Sequence, residues 1–151
     1  MHFKTLNGQT KRISSIKKHL IDWNKTSRSK FQFNVKKILE PYWGRHIVFE
    51  EFPIAGSRLS LDFYNANKKI AIEVQGDQHI KYVPFFHGGY KNNYLSQLER
   101  DHKKNQFCEI NDIFLFEIYQ KDPISVDFFL ENRTNRKSKK RGGKNSIKSF
   151  H

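Results

Sequence analysis

Asp62, Glu73 and Asp77 stand within LDFYNANKKIAIEVQGDQH, residues 61–79, of an otherwise basic chain. Asp62 lies in one apolar run and Glu73 in the next, with a polar Asn/Lys stretch between them. On an antiparallel hairpin, two such side chains approach each other on the polar face, and the pleat sets Gln75 beside Glu73. Like charges held that close repel unless a proton or a cation joins them. A hard divalent ion such as Mg²⁺ prefers oxygen ligands and meets that need. The surrounding cations would draw in a phosphodiester, and the ion would activate water and stabilise charge developing on phosphorus. Glu50 and Glu51, one strand earlier, are further oxygen donors. Alternation lets only one of them share the face of Asp62. Glu51 is favoured because it lies nearer the Pro-Gly bend, and solvated edge charges are the alternative for both.

The elements that must position these groups can be read from periodicity. Residues 1–12 look irregular, and RISSIKKHLIDW places Ile13, Ile16, Leu20 and Trp23 at helical spacing. A second helix is expected over KFQFNVKKILEPYW, stopping around Pro41, with Phe31, Val35, Ile38 and Leu39 as its apolar stripe. HIVFEEF reads as a short strand ended by PIAGS. RLSLDFY alternates, with Leu59, Leu61 and Phe63 on one face and Asp62 and Tyr64 on the other. KIAIEVQG alternates again, Ile70, Ile72 and Val74 against Ala71, Glu73 and Gln75. These two runs predict an antiparallel hairpin. KYVPFFHGGYKNN reads as a loop, for substrate contact or simply packed. YLSQLERDHKKNQFCEIND reads as a helix, with Leu95, Leu98, Phe107 and Ile110 available for burial, and IFLFEIY as a strand after it. A helix crossing between strands predicts an α/β fold with a mixed central β-sheet flanked by helices.

Composition bounds the rest. The chain has 151 residues, enough for one domain with tails. Mean hydropathy is low at -0.79. The fourteen Phe offset this, because each buried ring removes a large apolar area from water. A formal net charge of +13 predicts attraction to polyanions, weakening steeply with salt. Nucleic acid is the first candidate partner and an anionic membrane surface the second. No segment approaches the roughly 20 apolar residues that span a bilayer. The first residues carry no apolar signal core, so a cytoplasmic protein is expected. Cys108 is the single cysteine, which excludes an intramolecular disulfide and a cysteine-rich zinc site. Eight Lys and Arg lie between Arg133 and Lys148, with no acid after residue 131. Such a tail cannot bury a core and is expected to be disordered. Arg133, Arg136, Lys137, Lys139, Lys140 and Arg141 are its candidates for DNA phosphates; a solvated tail is the bland alternative. Lys11, Arg12, Lys17 and Lys18 mark a basic N-terminal helical arm over residues 1–30, which either lies across phosphates or packs. Arg58, adjacent to the strand of Asp62, is placed for a phosphate or a base edge.

Asp62, a turn, then Glu73-Val74-Gln75 resembles the active-site core of the PD-(D/E)xK nuclease superfamily. The longer string EEFPIAGSRLSLDFYNANKKIAIEVQGDQH, with LERDHKK and FLFEI downstream, resembles relatives of the very-short-patch repair endonuclease and small phage-type homing endonucleases. The resemblance covers about residues 31–120 and implies a restriction-endonuclease-like core over 31–131, with a basic tail over 132–151. It implies that Asp62 and Glu73 bind the metal, Mg²⁺ with Mn²⁺ as a substitute, and that the main-chain carbonyl of Val74 is a third ligand. Gln75 stands where the superfamily usually has Lys, and an amide can neither act as a base nor supply positive charge. Lys104, Lys81 or a second metal must then supply it. In the repair-like branch His79 and Asp101 would join the site; the alternatives are a hydrogen-bonded turn histidine and an ion pair of Asp101 on its own helix. Glu117 ranks low, as an edge charge or a structural partner. The implied activity is hydrolysis of double-stranded DNA to 5′-phosphate and 3′-hydroxyl ends, by a homodimer or homotetramer if both strands are cut, in an infected bacterial cell if phage-encoded. Nicking, mismatch-repair and junction cleavage are close variants. A non-catalytic nucleic-acid-binding protein and a metal-independent ribonuclease using His79 are the alternatives of other kinds.

Overall fold

The computed structural model describes the backbone of residues 1–76, 88–120 and 148–149, and the side chains of 1–76 and 95–120. A mixed five-stranded sheet is its centre. Strands β3 (Val48–Pro53), β4 (Ser60–Asn65) and β5 (Ile70–Gln75) form an antiparallel meander. Helix α2 (Gly88–Ile110) lies between β5 and β6 (Phe114–Tyr119) in sequence, and those two strands pair in parallel. Strand β7 (Lys148–Ser149) adds in parallel to β6, giving the order β3-β4-β5-β6-β7. The fold is thus α/β with a mixed sheet, as the alternation of elements predicts. No helix among the described residues is long and apolar enough to cross a membrane.

Each face of the sheet is covered, which explains why IAI and FLF read as unbroken apolar runs rather than alternating ones. On one face Val35, Leu39 and Trp43 of helix α1 (Lys30–Trp43) pack on Val48, Phe63, Ile70, Ile72 and Phe116. On the other, Phe49, Phe52, Leu61, Tyr64, Ala71 and Leu115 meet Phe107 and Cys108 of α2 and Phe3 and Ile13 of the N-terminus. Phe3 meets Phe52 edge-on, with ring centroids 5.4 Å apart.

Several local expectations fail, for identifiable reasons. Residues 1–12 are not irregular: β1 (His2–Lys4) and β2 (Thr10–Arg12) form an antiparallel hairpin. The stretch 13–23 is not an α-helix. Ser15 is in the left-handed region (φ 55), only a 3-10 turn covers Ile16–His19, and Ile21 N–H donates to Val48 O on the edge of β3. An open strand edge has outcompeted a helical pattern interrupted by two serines. Because Phe3 and Ile13 are buried in the central core, residues 1–30 are not a separate helical arm. Helix α1 runs past Pro41 to Trp43, whose ring is fully buried, and Ile38, expected in the stripe, is exposed. Helix α2 begins six residues before the expected Tyr94. Of its four candidate core residues only Phe107 is buried; Leu95, Leu98 and Ile110 are exposed. Strand β7 falls inside the tail expected to be disordered.

Candidate active site

The ladder between β4 and β5 pairs Asn65 with Ile70, Tyr64 with Ala71 and Phe63 with Ile72, then stops. Continuing the register would oppose Asp62 and Glu73. Here the side chains take over from the backbone: Asp62 N–H donates to Glu73 Oε2 at 2.7 Å, and Val74 N–H donates to Asp62 Oδ2 at 2.8 Å. The strands part, and each acid satisfies an amide that the ladder no longer serves. The cause lies partly in β3. Glu51 is in the left-handed region (φ 54), so alternation breaks opposite Asp62. Leu61 and Phe63 therefore fall on opposite faces of the sheet, not on one as strict alternation requires.

Asp62 and Glu73 are only 6% and 4% exposed. Burial raises the pKa of both carboxyls, and each lifts the other or is lifted by a neighbouring acid: Glu73 by Asp62, and Asp62 by Glu51. Lys104 opposes this, its Nζ lying 2.6 Å from Glu73 Oε1. Burial pulls the Lys104 ammonium down, yet Glu73 outweighs that and its pKa is raised. Helical spacing explains how Lys104 arrives: Gln97, Asp101, Lys104 and Cys108 recur at one face of α2. Cys108 is in the core, so the turns before it hang over the parted strands. There Gln97, Arg100, Asp101 and Lys104 line a cleft of about 300 Å³ with Asp62 and Glu73, Val74 and Gln75 on the floor and Arg28 and Ser29 opposite.

Arg28 escapes sequence reasoning because it sits in a polar break, NKTSRSK, 34 residues from Asp62. Its guanidinium lies 2.6 Å from Glu51 Oε1 and 3.4 Å from Asp62 Oδ1. The residue after it, Ser29, caps α1 through a hydrogen bond from Gln32 N–H, and that helix start aims the chain at the cleft. Glu50 and Glu51 share a donor, Gln32 Nε2, at 2.9 and 3.0 Å, but differ in their cationic partners. Glu50 turns to α1, where the fully buried Lys36 pairs with it at 2.7 Å, whereas Glu51 faces Arg28 and accepts from Ser60 Oγ at 3.2 Å. Glu117 is neither exposed nor on an edge. Burial raises its pKa, and it accepts from Gln75 Nε2 at 2.9 Å and Tyr119 O–H at 2.8 Å, which fixes the Gln75 amide. Arg58 is exposed on the β3–β4 turn and is not part of the cleft lining. His79, Lys81 and the tail residues Arg133, Arg136, Lys137, Lys139, Lys140 and Arg141 lie outside the described residues.

Among the described residues no three His, Cys, Asp or Glu side chains group to hold a metal, so Glu51 does not complete a trio with Asp62 and Glu73. A pair of buried carboxylates nevertheless suits one class of ion. Mg²⁺ keeps several waters and is usually bound by one or two carboxylates with substrate phosphates supplying the remainder.

Parts of the chain are similar to proteins of viruses. Over 66 residues it is 42% identical to "Uncharacterized protein 094L" of Frog virus 3 (isolate Goorha), covering 44% of this chain and 43% of that one. It is 29% identical over 99 residues to "Uncharacterized protein 033L" of Invertebrate iridescent virus 3, covering 62% of this chain and 50% of the relative. Over 60 residues it is 35% identical to "Uncharacterized protein 307L" of Invertebrate iridescent virus 6, covering 40% of this chain and 30% of that one. The chain thus spans half or less of the length of these relatives. No family model matches the chain, and no solved structure matches it.

Proposed function

We propose that the protein is a divalent-cation-dependent DNA endonuclease acting through Asp62 and Glu73, in the manner of the nucleases its sequence resembles. The observation that carries this reading is the pair of buried carboxyl groups, both with raised pKa, opened to a cleft by the parting of β4 and β5. Buried acids with raised pKa at a cleft floor are candidates for function rather than packing. Asp62 and Glu73, with the main chain of Val74, would hold Mg²⁺ or Mn²⁺. When bound, the ion supplies Lewis acidity at a phosphate oxygen and an acidified water. Lys104 holds positive charge 2.6 Å from Glu73, where Gln75 has none to offer, and faces charge developing on the phosphate. Gln75, with its Nε2 on Glu117, keeps its carbonyl oxygen to orient water or substrate. Asp101 and Arg100 line the wall above. A double-strand cut requires a second copy of the pair, hence a homodimer or homotetramer.

A second reading draws on Lys104 and Arg28, which already lie against the two acids: DNA binding without hydrolysis. Supercoiled plasmid incubated with Mg²⁺ or EDTA distinguishes them. The nuclease reading expects nicked or linear product with Mg²⁺ only, lost in Glu73→Gln while binding persists. Binding with no product under either condition supports the second reading.

A further inference from the structure

A second cleft, of about 590 Å³, lies beside the first and shares Arg28 with it. Its walls are the 3-10 turn and the segment after it, carrying Lys18, His19, Lys25, Thr26 and Ser27, and its back is Glu50 and Glu51 of β3. The wall is built rather than draped. Lys36 passes through the core to donate to Lys25 O at 2.7 Å and Asp22 O at 3.0 Å, and Ser27 Oγ donates to Glu50 Oε2 at 2.6 Å. Two of the cleft's three acids are neutralised in place, Glu50 by Lys36 and Glu51 by Arg28. The third, Asp22, accepts from Asn24 N–H at its own turn. Lys18 and Lys25 are exposed, and neither has an acid within ion-pair distance among the described residues.

We propose that this second cleft is a track for the DNA backbone, entered from the acidic cleft over Arg28, with Lys18 and Lys25 taking phosphates next to the one at Asp62 and Glu73. The track rests on the nuclease reading for its direction, since that reading places the scissile phosphate. Arg28 is the natural junction: it is 65% exposed, already leans on Asp62, and is tethered by Glu51. The exposed hydroxyl of Thr26 offers a further donor to phosphate oxygens.

The test compares Lys18→Gln/Lys25→Gln with a control, Lys4→Gln/Lys69→Gln, on β1 and the β4–β5 turn and outside both clefts. Both change exposed lysines only. Binding of a fluorescent 30-mer duplex is followed against salt in Ca²⁺, and hydrolysis of bis(p-nitrophenyl) phosphate, whose single phosphate needs no flanking backbone contact, in Mg²⁺. The track variant should bind several-fold more weakly, with the slope of log K against log salt shallower by about 1.8, from two phosphates at about 0.9 each. Its diester hydrolysis should match that of the unsubstituted chain. An unaltered slope, or an equal loss in the control, overturns the track. Absence of hydrolysis in the unsubstituted chain, alongside a lysine-dependent slope, would instead sink the nuclease reading and leave the binding cleft standing.

Discussion

Replacing Asp62 by Asn asks whether the buried pair is a cation site held in readiness. The amide keeps an oxygen to accept from Val74 N–H, so the staple between β4 and β5 survives while the charge goes. Burial raises Asp62 from 3.8 to about 6, which at about 1.4 kcal/mol per decade is on the order of 3 kcal/mol held against the folded state once the carboxylate ionises. The sign follows from the direction. A carboxyl whose folded pKa lies above its unfolded value contributes most below the unfolded value, near pH 4, and that contribution disappears as pH rises through about 6. Asp62→Asn should therefore match the unsubstituted protein near pH 4 and melt higher by roughly 6–12 °C at pH 8 in EDTA, at about 2–4 °C per kcal/mol for a chain of this size. Adding Mg²⁺ at pH 8 should raise the melting temperature of the unsubstituted protein and leave Asp62→Asn nearly unmoved. Differential scanning calorimetry reads both effects. A melting gap that does not vary with pH, or an equal response of both proteins to Mg²⁺, would refute the reasoning.

Lys104→Met removes the cation that opposes the upward push on Glu73, so the midpoint of the pH–cleavage profile should move to higher pH, with rates down by about 10² or more; an unshifted profile argues against this role. Glu117→Ala releases the Gln75 amide, and cleavage should fall while the Mg²⁺-induced rise in melting temperature is kept; calorimetry beside a plasmid assay checks the split. Lys36→Ala strands Glu50 and uncaps two carbonyls, and should cost about 3–5 kcal/mol in urea unfolding.

The hairpin was legible because alternation is a backbone property. Leu61 to Tyr64 and Ile70 to Gln75 declare two pleated runs with acids that can face each other, and the structure brings Asp62 and Glu73 together. Lys104 was reachable too, through the helix that follows. What could not be read is what long-range pairing decides. Glu51 takes a left-handed conformation that no local pattern announces, and with it goes the expected alignment of Leu61 with Phe63. Arg28 sits in a polar break with partners 23 and 34 residues away, and Lys36, within helix α1, meets Glu50 of β3 and backbone carbonyls of a neighbouring loop. The failed helix at 13–23 shows the same competition, since a helical spacing of isoleucines lost to an open edge of β3.

The parted strands have a consequence for anyone reading kin of this protein. Because each acid also closes a main-chain amide, losing either one to a short apolar residue would uncover a buried donor, at about 1–3 kcal/mol. A descendant that had given up chemistry would still have reason to keep an oxygen at both positions. Retention of Asp62 and Glu73 across viral sequences would thus report an architectural need before it reported an activity, and under the nuclease proposal an amide at either place would be the more telling sign of a chain without hydrolysis.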